Sequence, residues 1–401
     1  MLQALVLAVS TFANLPLDQA QARALAASPD VAIARGKVAE EQALFEQARA
    51  AFGPALVGNY VEGPQGAAEG TVAQRLTTLG ASITLGDLIA YSPAVAQANA
   101  NLRAAAFDFA NAQRTERINV IHLYFGALSA NATLTARRQA LASAQAQERA
   151  AQLRYGAGDA PHLDVVRAAV ARAQAEAALA TAQADQRNAY AALETETGVG
   201  DGELAALAEQ SAPGPLATPD VSKSLDAALA RRPEIASAQS NVAAEEHAVS
   251  VARRGGLPVV TLTGGFTSGV DSGFKTSGPS ATASVSLPVG GGAHARVLAE
   301  EARLAQARAQ LEKARREVTN EVTAAVRTFA AQSSALDAAR RAFSEASMEL
   351  QATQTGYRNG ASSSLDVESA RATYTQALVD QISATYAKAE AQATLQLLMG
   401  M

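Results

Sequence analysis

One turn occurs twice in this 401-residue chain, and its two copies limit what the chain can fold into. The first copy reads Tyr155-Gly-Ala-Gly-Asp-Ala-Pro-His-Leu-Asp164-Val, the second Tyr357-Arg-Asn-Gly-Ala-Ser-Ser-Ser-Leu-Asp366-Val. Each runs from Tyr through a Gly-bearing break to Leu-Asp-Val at the same spacing. Long Ala-rich runs flank both. Gly tolerates positive φ and ends helices, so a Gly break between two helix-forming runs is a helix–turn–helix tip. The chain therefore contains two long helical hairpins.

The repeat extends well beyond the tips. Pro233-Glu234-Ile235 and Pro258 follow Pro29-Asp30-Val31 and Pro54 at an interval of 204 residues. Tyr357, Leu365, Asp366, Val367, Leu395 and Gly400 follow Tyr155, Leu163, Asp164, Val165, Leu193 and Gly198 at 202. Such a register marks an internal duplication, with a two-residue length change in the strand region. Residues 28–198 form the first repeat, a linker rich in Pro and Gly covers 199–222, and 223–401 form the second. Residues 1–27 are an N-terminal segment, and Met1–Ala13 reads as the remnant of a secretory signal, with Thr11 and Ala13 at small-residue positions.

Within each repeat the pattern predicts helix, two strands, long helix, tip and helix. Ser28-Pro29-Asp30 supplies an N-cap, a first-turn Pro and an acidic first turn for a helix reaching about Phe52. Strands are expected within 54–91 and 257–290. Leu79, Ala81, Ile83 and Leu85 alternate with Thr78, Gly80, Ser82 and Thr84, and an earlier strand is placed around Ala55–Val61, across the loop Glu62–Gly70. In the second repeat Val260, Leu262 and Phe266 alternate with Thr261 and Thr263, and Ala281, Ala283, Val285 and Leu287 with Ser280, Thr282, Ser284 and Ser286. A Gly/Ser-rich loop is expected at Ser268–Ser277. Ser92-Pro93 reads as the start of a helix of about 60 residues, roughly 90 Å long, ending near Tyr155. The next helix runs from about Pro161 to Thr197.

The second long helix carries a heptad. Val297, Leu304, Leu311 and Val318 are seven apart, as are Val322, Phe329, Leu336, Phe343, Leu350 and Tyr357, and a four-residue stutter joins the two series. Val120, Ala127, Leu134, Leu141 and Tyr155 echo the later series, with Glu148 interrupting. This spacing predicts coiled-coil packing. The fold class is mainly α with a small β part: long coiled-coil hairpins and four strands. The strands fit either a small β-domain or a membrane barrel wall with apolar residues toward lipid. Open strand edges are not tolerated in lipid. Four strands close nothing alone, but three copies of the chain would supply twelve.

Composition narrows the function. Formal net charge is −5 and pI about 5.6, which argues against a nucleic-acid partner. Cys is absent, so there is no disulfide and no thiolate metal site. His122, His162, His247 and His294 are scattered without ligand spacing. Gly290-Gly-Gly-Ala lacks the Lys-Ser/Thr of a phosphate loop. No enzyme signature, cofactor or metal site is expected. No run of about 18 apolar residues predicts a transmembrane helix.

The duplicated plan, the two Tyr-x-x-Gly…Leu-Asp-Val tips, and Pro54 and Pro258 together resemble the TolC-like outer-membrane efflux proteins over nearly the whole chain. The resemblance implies a homotrimer with a twelve-stranded barrel in outer-membrane lipid and an α-helical tunnel in the periplasm of a Gram-negative bacterium. It implies a periplasmic adaptor (membrane fusion) protein at the tunnel tip, and through it an inner-membrane pump or secretion ATPase. Asp366 takes the place of a constriction aspartate, and Tyr357 and Asp164 that of a hydrogen-bonded gate pair. Tyr155, Gly156, Gly158, Asp159, Leu163, Asn359, Gly360 and Leu365 fall where the tips meet the adaptor. Ser369 and Ser362 depart from the family's second aspartate and gate arginine, and Glu368 lies on another helical face. Without the family, Asp164 and Asp366 also read as first-turn acids favoured by the helix dipole, and Tyr155 and Tyr357 as packing residues. The function expected is a passive exit duct for efflux or type I secretion. A soluble coiled-coil scaffold with a non-membrane β-domain is the alternative, and heavy-metal cargo is a variant of the duct.

Overall fold

The structure, a computed structural model, describes residues 15–50, 53, 55–65, 72–200, 207, 220–271, 274–287 and 291–399. The segment Met1–Ala13, Pro54, most of the 199–222 linker and Gly400 lie outside the described residues. The elements in order are α1 (Leu17–Ala27), α2 (Pro29–Ala50), β1 (Ala55–Gln65), β2 (Val72–Thr84), α3 (Leu85–Ala157) and α4 (His162–Thr197). Then follow α5 (Val221–Arg231), α6 (Pro233–Arg254), β3 (Val259–Asp271), β4 (Phe274–Ser286), α7 (Gly292–Arg358) and α8 (Ser364–Leu398).

The element bounds carry the repeat. α5, α6 and the start of β3 follow α1, α2 and the start of β1 by 204 residues. β4 and the start of α8 follow β2 and the start of α4 by 202. The register therefore changes between the two strands of each pair. Six residues, 66–71, separate β1 from β2, whereas two, 272–273, separate β3 from β4.

Three features differ from the sequence expectation. The short helix α1 falls in the stretch read as N-terminal segment, and α5 begins in the last two residues of the linker and runs into the second repeat, ahead of the helix expected there. α1 buries Leu17, Ala20 and Ala24, and α5 is capped by Asp220, whose carboxylate accepts from Ser222 N at 2.9 Å. Ser92-Pro93 does not start a helix. α3 already begins at Leu85, and Pro93 lies inside it. Pro93 lies more than two turns in, where its ring removes one backbone hydrogen bond, and the helix continues past it. The expected loop Ser268–Ser277 is instead largely strand, because the ladder continues through Ser268↔Ser277, Gly269↔Thr276, Val270↔Lys275 and Asp271↔Phe274. Backbone pairing carries these small residues without apolar burial. β1 likewise continues past Glu62 to Gln65, and Glu62 there pairs with Arg75 at 2.8 Å.

The chain divides into two compact units, each drawing on both repeats. One consists of residues 33–110 and 233–316 and contains the sheet. All neighbours in the order β1-β2-β3-β4 are antiparallel. Cross-strand partners share a face, so Gly58, Leu79, Phe266 and Pro279 form one row, and Ile83, Leu262 and Ala283 another. On the opposite face run Ser82, Thr263 and Thr282, and Thr84, Thr261 and Ser284. There Thr78 Oγ1 and Thr267 Oγ1 share a hydrogen bond of 2.9 Å, and Thr267 Oγ1 donates to Ser280 Oγ at 3.0 Å. Gly80 and Gly265 face each other across β2 and β3, and a Cβ on either would run into the other strand's backbone. The apolar face is the bare one: Leu56 is 89% exposed, Leu79 69% and Val285 70%.

The other unit comprises residues 1–32, 111–232 and 317–401. Its larger core gathers Leu15, Leu17, Val120, Ile121, Tyr124, Phe125, Leu128, Tyr190 and Leu193. Tyr124 donates its hydroxyl to Leu15 O at 2.9 Å, and burial pushes that hydroxyl up to about 12, so it stays a neutral donor. A second cluster holds Val326, Phe329, Leu395 and Met399. Part of the heptad points inward here: Val318, Val322, Phe329 and Leu336 are buried, as are Val120, Ala127 and Leu134, while Leu141, Phe343, Leu350 and Tyr357 are half-buried and Tyr155 is exposed. The stutter leaves both Val318 and Val322 buried.

Candidate functional site: the two interhelical tips

Both tips are built the same way. At the end of α3, Gly158 takes φ 84°, Gly158 N donates to Tyr155 O, and Asp159 N donates to Arg154 O. At the end of α7, Gly360 takes φ 75°, Gly360 N donates to Tyr357 O, and Ala361 N donates to Gly356 O. These nested bonds close a left-handed helix end that glycine adopts at least cost. Gly156 lies in the last helical turn of α3.

The tips diverge at the next helix start. Ser363 caps α8 with a reciprocal box: its hydroxyl accepts from Asp366 N at 3.2 Å, and Asp366 Oδ2 accepts from Ser363 N and Ser363 Oγ, each at 2.8 Å. These hydrogen bonds from the Ser363 backbone and hydroxyl hold the Asp366 carboxyl below its ordinary value. Its contribution to the cap is present above the ordinary carboxylate range and is lost as pH falls through the lowered value. Pro161 occupies the matching position before α4 and offers no side-chain cap. Asp164 is thus left without a box partner. It reaches across to the second tip, where Ser364 Oγ donates to Asp164 Oδ1 at 2.6 Å. Arg167 stands 3.9 Å from the same oxygen.

Asp164 and Tyr357 have other partners within this chain. Within the chain Asp164 takes the Ser364 hydroxyl, and Tyr357 lies instead under the Arg154 guanidinium, 5.0 Å from its ring centre. Tyr155 packs edge-on to His162 at 5.3 Å, so His162 serves the turn. Ser362, which stands in place of the family's gate arginine, sits against Gly356, and a Cβ there would strike the Ser362 side chain. Glu368 is pushed up chiefly by burial and also by Asp164, while Arg167 and Arg371 oppose the shift. Leu153, Tyr155, Leu163 and Leu365 leave an exposed apolar rim, with Asp159, Asn359 and Asp366 exposed beside it. The tips offer hydrogen bonding, charge and apolar contact, but no nucleophile with a base. Among the described residues no group of three or more His, Cys, Asp or Glu could hold a metal ion.

Sequence reading did not find Ser364 or Arg154. The available signal was Pro161 opposite Ser363, which frees one aspartate and occupies the other. Ser364→Ala is expected to lower tip stability by about 1 kcal/mol by leaving the part-buried Asp164 oxygen without its donor. Amide exchange in the first turn of α4 checks this, and should quicken in the variant.

The family profile for outer membrane efflux proteins matches residues 20–199 and 224–401. The chain belongs to that family. It is an outer-membrane efflux channel protein and not an enzyme. Among solved structures, the Campylobacter jejuni CmeC outer membrane channel is 19% identical, with 96% of this chain and 85% of that chain covered and a TM-score of 0.81. The Vibrio cholerae outer membrane protein VceC is 20% identical, covered 96% on both sides, with a TM-score of 0.79. The open state of the Neisseria gonorrhoeae MtrE outer membrane channel is 20% identical, with 96% and 88% covered and a TM-score of 0.70. These likenesses confirm the fold class: helical hairpins joined to a four-stranded sheet. No curated protein sequence matches the chain. No described helix is long and apolar enough to cross a membrane.

Proposed function

We propose that three copies join their sheets edge to edge into a twelve-stranded barrel, and that the trimer is the exit duct of a tripartite efflux pump or type I secretion system. The observation that carries this reading is the inverted sheet. Leu56, Leu79, Phe266 and Val285 face outward bare, while hydroxyl rows cover the other face. Water penalises that face and lipid favours it. Edge-to-edge closure removes the open edges of β1 and β4, which lipid does not tolerate.

The duct has no energy source of its own, so an inner-membrane pump or secretion ATPase drives it through a periplasmic adaptor. The adaptor docks on the tips, at Tyr155, Gly156, Gly158, Asp159, Leu163, Asn359, Gly360 and Leu365. Their exposed apolar rim supports that assignment, because water-exposed leucines around a turn favour a partner. Asp366, Asp164 and Tyr357 form the resting constriction. Three Asp366 carboxylates gathered on a threefold axis repel one another and attract cations. The Ser364–Asp164 bond joins the two tips of one chain, so opening moves them together or breaks that bond.

Photo-crosslinkers at Leu163 and Leu365 in the native host test the docking. Adducts with one periplasmic protein are expected at both tips and not at Leu298, which is 52% exposed on α7. Tips that yield no adduct, or adducts shared equally with Leu298, would reject it.

A further inference from the structure

The duplication places a joint twice in the larger helical unit, and the two copies have opposite electrostatics. In the second repeat Arg232, at the end of α5, is 3% exposed. Its Nε donates to Leu398 O at 3.2 Å, and its Nη1 pairs with Glu321 Oε2 at 2.9 Å. The repeat register sets Arg232 against Ser28, Glu321 against Asn119, Leu398 against Glu196 and Val318 against Glu116. The first copy thus has no arginine, and it has two carboxyls where the second has Val318 and Leu398.

Glu116 is 8% exposed on α3. Its Oε2 accepts from Ser28 Oγ at 3.0 Å, and Ser28 Oγ also accepts from Val31 N at 3.5 Å as the cap of α2. Its Oε1 is buried and meets no donor while both carboxyls are ionised. The group beside it is the Glu196 carboxyl, in the last turn of α4, with which Glu116 can hydrogen-bond only if one of them carries a proton. A carboxylate at a helix C-terminus is also opposed by the helix dipole.

The groups lining the surrounding cavity of about 640 Å³ include Ser28 and Asp30 from the start of α2, Glu196 from α4, and Thr115, Asn119 and His122 from α3. None is a lysine or arginine, and His122 Nδ1 is engaged with Glu390 Oε1 at 2.8 Å. A buried carboxyl beside a second, half-buried one, without a cation, shares a proton with it or is repelled by it.

We propose that Glu116 and Glu196 form a proton-dependent latch that fixes the N-terminus of α2 through Ser28, where the second repeat uses the permanent charge of Arg232. Burial and the Glu196 contact push the Glu116 carboxyl up to about 7, consistent with the latch. A carboxyl whose folded value is raised stabilises the closed joint fully below its ordinary value near 4.5. That stabilisation is lost as pH rises through the folded value near 7, and above it the latch is unprotonated. The second copy, built on arginine, keeps its strength over the same range.

Hydrogen exchange of the full-length detergent-solubilised protein tests the latch. After correction for intrinsic rates, protection of the Val31 and Ala32 amides should fall about tenfold to a hundredfold between pH 4.5 and 7.5, then level off. The first turn of α6 should show no such step. Glu116→Gln keeps an amide that can donate to Glu196, so it should hold protection flat across the range, and Glu196→Gln should do the same by donating to Glu116. A wild-type profile without the step, or a step that persists in both variants, would overturn the proposal. Equal steps in α2 and α6 would also overturn it, because they would reflect general loosening.

Discussion

Arg in place of Leu79 is expected to cut the amount of assembled channel in the outer membrane sharply, whereas Arg at Ser284 leaves it near the wild-type level. Leu79 is 69% exposed in the row with Gly58, Phe266 and Pro279, and Ser284 lies on the hydroxyl face opposite Thr261. A guanidinium near the middle of the lipid face costs about 2–4 kcal/mol per chain, and a trimer carries that cost three times. On the hydroxyl face the same side chain stays hydrated. Quantifying detergent-extracted oligomer from outer-membrane fractions measures the difference. Equal losses in the two variants, or none at Leu79, would show that the bare apolar face does not meet lipid.

The second large effect lies in the helical core. Phe329→Ala is expected to destabilise the helical part by about 3–5 kcal/mol, because it empties a fully buried position. Phe329 is 1% exposed and clusters with Val326, Leu395 and Met399. Its repeat equivalent, Ala127, is already alanine and is equally buried, among the larger neighbours Tyr124, Leu128 and Leu193. The two halves therefore solve the same packing problem with different volumes, and a cavity opens only where the large side chain is removed. Thermal loss of the helical circular-dichroism signal should occur about 10 °C lower in the variant. An unchanged midpoint would mean that the heptad seam is not the core of that unit.

Much of this was legible because repeats and periodicity are local signals. The two Tyr…Leu-Asp-Val turns fixed the tips, and Gly158 and Gly360 carry the positive φ that those turns require. The period-two alternation at Thr78–Ile83 marked the sheet and its two unlike faces. The heptad from Val322 to Leu336 marked the buried seam. The misses have physical causes too. α1 and α5 are 11 residues each, short enough that tertiary burial of Leu17 and Ala228 decides them rather than local pattern. The strand through Ser268–Asp271 rests on backbone pairing, which composition does not display.

At the tips, sequence position alone could not tell Asp164 from Asp366. Both stand in the first turn of a helix. What separates them is the residue three places earlier, Pro161 or Ser363, which turns one aspartate outward to Ser364 and the other back onto its own cap. The latch carboxyls were invisible for a similar reason. Glu116 and Glu196 are 80 residues apart, and only the fold of α3 against α4 brings them together.

The mass and conductance of the purified full-length protein test most directly whether three chains form a channel. In detergent it should form a particle of three chains, about three times 41.1 kDa, and in a planar lipid bilayer it should carry discrete single-channel current steps. A water-soluble monomer that leaves the bilayer silent would contradict it.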